Sequence, residues 1–103
     1  MTARVRIFEG VLDDFAAEQV VEVVDDALDA GVDGAQRLVP IDTGRLHDGI
    51  RVVEPAHRDG EGVSGTYGVT DVEYADDVEF GTSKAAAQPY LRPSIDSIRE
   101  VVR

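Results

Sequence analysis

Cysteine is absent from the 103 residues, which excludes disulfides and thiolate metal sites. His47 and His57 are the only histidines, too few and too isolated for a histidine metal centre. No stretch approaches the roughly 18 consecutive apolar residues that a membrane span needs. No charged-then-apolar leader opens the chain, so neither membrane insertion nor secretion is expected. Lysine is almost missing as well: Lys84 stands alone among ten basic residues, against twenty-one acidic ones.

The resulting formal net charge of -11 narrows the function classes. Affinity for a phosphate backbone depends on cationic neutralisation, so the balance argues strongly against a DNA-binding role. Such a surface repels itself at low salt and is screened at high salt, where the Debye length falls to about 3 Å at 1 M. An Asp-rich, Lys-poor chain of this kind is expected from a salt-loving host. A hydrophobic content of 43% is that of a folded chain. The length suits one domain with a single core, over residues 1–103.

Read in order, residues 1–12 form an arm or a short strand, with Val5 and Ile7 alternating before Gly10. Asp13 or Asp14 caps the helix that follows. From Phe15 to Val39, apolar residues including Val20, Val24, Ala27, Leu28, Val32 and Ala35 recur at threes and fours. Acids fill the other face, from Glu18 to Asp33. A helix of that length runs about 37 Å at 1.5 Å per residue and should lie across a sheet. Gly31 and Gly34 weaken its last third and imply close approach or a bend. Pro40 ends it by pushing Val39 out of the helical region. Asp42 or Thr43, in the turn Ile41–Gly44, caps a short helix through Arg45, Leu46 and Gly49.

Ile50 to Glu54 alternates like a strand, Pro55 to Gly62 reads as a hairpin loop, and Val63 to Thr70 returns as the second strand. The hairpin turns Val63, Gly65, Tyr67 and Val69 under the long helix. A third strand is expected near Glu79-Phe80 or Tyr90-Leu91. Pro93 opens a last helix with Ile95, Ile98 and Val102 as its stripe. The fold class is therefore α+β: a long N-terminal helix on a small antiparallel sheet, with a C-terminal helix.

The stretch from Tyr74 to Pro93, YADDVEFGTSKAAAQPYLRP, is the least like ordinary scaffold. Tyr74, Val78 and Phe80 are anchors on a short helical turn or an extended segment, Gly81-Thr82-Ser83-Lys84 breaks the pattern, and Pro89 and Pro93 stiffen the exit. A loop over residues 81–88 in so small a chain is functional or disordered. Several enzyme signatures fail nearby. Asp42-Thr43-Gly44 matches the tripeptide of aspartic proteases, but it follows a helix and a proline and reads as a turn. Gly81–Lys84 lacks the first glycine of a phosphate loop. Asp71, Glu73, Asp76, Asp77 and Glu79 lack the spacing of a calcium loop and read as a solvated face or as partners for arginines. Arg45 and Arg92 carry forked guanidinium groups suited to carboxylates. Each either reaches a neighbour or ties its own turn, for instance Arg45 to Glu79. Neither catalysis nor a cofactor is expected.

Two motifs carry a resemblance. Val39-Pro40-Ile41-Asp42-Thr43-Gly44-Arg45-Leu46 is similar to the Pro-x-Asp-Thr-Gly-Arg-Leu of the tail-completion family, minor tail or neck proteins of long-tailed double-stranded DNA viruses. VEFGTSK, followed by AQPYLRP, resembles the same family's second motif. With the long helix they span residues 10 to 100. The departures are the paired acids Asp76-Asp77 and a plain alanine run. The resemblance implies a structural virion protein, made in the host cytoplasm, whose copies form a six-fold ring at the head–tail junction. Its neighbours would be the head connector or stopper and the tail terminator or tail-tube proteins, and DNA would pass through the lumen unbound. Glu79, Phe80, Gly81, Thr82, Ser83, Lys84, Gln88, Tyr90 and Arg92 are then the interface candidates, with Asp42–Arg45 as a motif turn. A tail-terminator ring uses a similar small α+β protein. A small acidic inhibitor that captures a basic partner shares the composition but leaves both motifs without a reason.

Overall fold

A computed structural model describes residues 1–8, 13–40, 44–60 and 62–101. Strand β1 covers Thr2–Phe8, helix α1 Asp14–Leu38, helix α2 Gly44–Gly49, strand β2 Arg51–Asp59 and strand β3 Gly62–Gly68. Helix α3 covers Ala75–Phe80 and helix α4 Ile95–Val101. The sheet is antiparallel in the order β1-β3-β2, and α1 packs against all three strands from one side. This is the expected α+β architecture.

Helix α1 begins where the chain supplies a cap: Asp13 accepts a 2.7 Å hydrogen bond from the Ala16 amide. It stops at Val39, whose extended backbone (φ -69°, ψ 142°) precedes Pro40 as the steric rule requires. Its buried residues, Ala17, Val24, Ala27, Leu28, Gly31, Gly34 and Ala35, follow the three-and-four spacing. The glycines are there for contact. A Cβ on Gly31 would stand 2.6 Å from the Tyr67 ring, so the aromatic lies against bare helix backbone. Tyr67 is fully buried, and its hydroxyl shares a 2.7 Å hydrogen bond with Ser94, which joins the sheet to the turn before α4.

Two sequence expectations change. The third strand is β1, at the N-terminus, whereas 75–80 is helical and Leu91 lies in a turn. On that helix Glu79 turns inward and Val78 is half-buried. The hairpin loop is also shorter than expected, because β2 continues through Pro55 to Asp59. Proline survives there because β2 is an edge strand and its register slips between Glu54 and His57. The Ala56 amide that follows is satisfied across the layer by Asp25 of α1, at 3.0 Å. Finally, Asp42 and Thr43, expected to cap α2, lie outside the described residues, as do residues 9–12 and Val102.

Candidate assembly surface

Helix α3 has only six residues, yet it organises the whole motif from Tyr74 to Pro93. At its end Gly81 adopts φ +78°, a conformation that side chains disfavour, and its amide closes the helix on the Asp77 carbonyl. The chain then runs along the surface beside Pro40 and Tyr74. Residues 82–89 are all exposed, eight in succession. They are nevertheless shaped by their own bonds: the Thr82 amide reaches the Ala85 carbonyl at 2.9 Å, and the Thr82 hydroxyl accepts from the amides of Lys84 and Ala85. The Gln88 amide returns to the Val78 carbonyl at 2.8 Å, closing the base of the loop.

The second anchor is Glu79. Only 1% exposed, it points into the fold and accepts the amides of Tyr90 (3.0 Å), Leu91 (2.8 Å) and Arg92 (3.3 Å). One carboxylate thus gathers three successive donors that a non-helical, non-sheet segment would otherwise bury unpaired. No cation meets it among the described residues; the amides carry the compensation. Tyr90, directly after Pro89, is fully buried and its hydroxyl donates to the Ala75 carbonyl at 3.2 Å. Burial, then the nearby charges of Glu79 and Asp76, push its phenol up to about 12.

Around this inner clamp lies an outer layer. Phe80 is 58% exposed, with the Arg92 guanidinium 5.9 Å above its ring. Arg45 lies on the neighbouring flank, 6.0 Å over the Tyr74 ring, and reaches Glu73 at 3.0 Å and the Asp71 carbonyl at 3.3 Å. It therefore ties α2 to the segment before α3, through Glu73 and not through the buried Glu79. The hydrogen bond and charge of Glu73 hold the Arg45 guanidinium above its ordinary value. A hydrogen bond from its own backbone, then the one from Arg45, holds the Glu73 carboxyl below its usual range.

The structure thus divides the sequence-selected residues. Phe80, Thr82, Ser83, Lys84, Gln88 and Arg92 lie together on the surface, while Glu79 and Tyr90 sit beneath them and set their position. Nothing in the sequence distinguished these two groups, because Glu79 is one acid among twenty-one.

A family model described as "Bacteriophage HK97-gp10, putative tail-component" matches residues 8–81. The match takes in α1, the hairpin and α3 up to the first residue of the loop. No curated protein and no solved structure matches the chain.

Proposed function

Because the chain belongs to the HK97-gp10-like family of phage tail components, we propose that it is a structural element of the head–tail junction, built from copies arranged as a ring. The observation that carries this reading is the loop at residues 82–89. It is exposed throughout, internally bonded and clamped at its base, so it offers a pre-shaped surface for a contact with another chain. Ring closure needs a heterologous contact, in which one surface meets a different surface on the next copy. An exposed loop beside an exposed Phe80 provides one half of such a contact. The aromatic and Arg92 supply its anchor, since such residues dominate interface energetics.

In this role the protein joins the head connector or stopper to the terminator or tube of the tail. It acts by shape and surface, without catalysis. The net charge of -11 suits a channel through which DNA slides, because like charge prevents phosphate binding. The same charge suits a saline host.

Two measurements test the reading. Light scattering on a sizing column, at about 0.1 M and at multimolar salt, should show a ring-sized species that strengthens as self-repulsion is screened. A chain with Ser83–Ala86 replaced by two glycines should keep its melting temperature but lose that species and fail to restore tails in a virus lacking the gene. Normal tails built with the shortened loop would refute the proposal.

A further inference from the structure

The two edges of the sheet are built differently. On β2 the register slips twice and Pro55 interrupts the donors, both of which blunt an edge against further pairing. On β1 the pairing with β3 runs unbroken from Thr2 to Phe8, without proline or bulge. Its hydrogen-bond phase follows from the first residue. The Met1 ammonium donates to the Val69 carbonyl at 2.7 Å, and the Val69 amide donates to the Met1 carbonyl at 2.8 Å. Met1 and Val69 are thus a mutually bonded pair, and such pairs alternate along an antiparallel ladder. Ala3, Val5 and Ile7 therefore bond inward to β3. Thr2, Arg4 and Arg6 turn their backbone N–H and C=O groups toward the outer edge.

A groove runs along that edge. About 320 Å³ in volume, it is lined by five successive residues of β1, Ala3 to Ile7, and by Tyr67, Ile95 and Ile98. Five strand residues span roughly 17 Å at 3.4 Å each, so the groove has the length of a short strand. Helix α4 overhangs it: Ile95 remains 42% exposed, and Val5 and Ile7 are half-buried on the same side. The opposite face of β1 carries Arg4 and Arg6, both in contact with Asp59. Their side chains remain 59% and 40% exposed, so an acidic side chain on an added strand can approach them.

We propose that β1 captures an extended segment of another tail protein, which adds as a fourth strand beneath α4. The segment alternates apolar residues, packed on Val5, Ile7 and Ile95, with acidic residues facing Arg4 and Arg6. A second copy of this chain fits poorly. Two β1 strands would set arginine against arginine, which is destabilising for directly opposed like charges, and the edge of β2 is interrupted. The source of the segment rests on the tail-component reading. The capture itself does not, and its test needs no ring.

The probe is a capped seven-residue peptide of alternating valine and glutamate, added to the full-length protein at about 0.1 M salt. Amide exchange should slow about tenfold or more at Thr2 and Arg4, with little change at Ala3 and Val5, already bonded to β3. A peptide of valine and lysine should protect neither. Arg4→Pro removes one outward N–H on an edge strand and should lower affinity at least about tenfold below Arg4→Ala, which removes the same side chain but keeps the amide. Absence of protection at Thr2 and Arg4 in the wild-type chain overturns the proposal. So does an Arg4→Pro chain that binds as Arg4→Ala does. Protection at Thr2 and Arg4 without peptide, together with a dimer mass, overturns it in favour of a second copy.

Discussion

Replacing Glu79 should be among the most damaging single changes on this molecule. The side chain is 1% exposed and accepts three amides, two of them, Tyr90 and Leu91, fully inside the fold. A hydrogen bond to a charged group contributes about 1.5–3 kcal/mol, and a buried donor left unpaired costs about 1–3 kcal/mol. With Glu79→Ala, water can enter part of the vacated volume and restore some bonding, so the expected loss is about 3–5 kcal/mol rather than the full sum. Glu79→Gln retains one oxygen for the closest amides but turns an NH2 toward the Arg92 amide, a donor facing a donor. Its loss should be about 1–2 kcal/mol. Urea unfolding followed by circular dichroism gives both values, and a loss of 1 kcal/mol should lower the melting temperature by about 4–8 °C in a chain of this size. The order wild type, Gln, Ala is the diagnostic. An alanine variant within about 0.5 kcal/mol of wild type would show that the clamp does not hold the segment, and the reasoning would fall with it.

Two further outcomes follow from the interior. Gly31→Ala should destabilise the protein by about 1–3 kcal/mol despite the better helix propensity of alanine, because the new methyl would stand 2.6 Å from a Tyr67 ring pinned by Ser94; a thermal melt that rises would show the ring free to retreat. At alkaline pH, the raised Tyr90 pKa means that the folded state holds its proton more tightly than the unfolded chain. That contribution is complete below about pH 10 and is lost as pH rises toward 12. Tyr90→Phe should cost about 1 kcal/mol near neutrality, through the lost bond to Ala75, and flatten the alkaline decline. Some slope should remain from Tyr67, also raised by burial. An unchanged slope in urea midpoints between pH 9 and 11 would contradict the assignment.

Local chemistry determined much of this protein before any tertiary contact. The period of α1, its cap at Asp13 and its stop before Pro40 are written within a few residues of each other, because caps and steric rules act over one turn. The alternation that turns Tyr67 and Val63 inward is equally local, and the acid excess, which argues against nucleic-acid binding, needs no structure. The two motifs that resemble tail-completion proteins were legible for the same reason, being contiguous. What lay beyond reach was every choice that depends on distant partners. Pro55 looked like a loop because its toleration depends on β2 being an edge. That in turn depends on β1 occupying the far side of β3, more than forty residues away in sequence. Glu79 looked like any other acid because its partners are amides eleven to thirteen residues on, brought to it by a loop with no periodicity. Short-range sterics and hydrogen bonding assign elements; only the closed fold decides which strand is an edge, which carboxylate is inside, and which loop is left exposed.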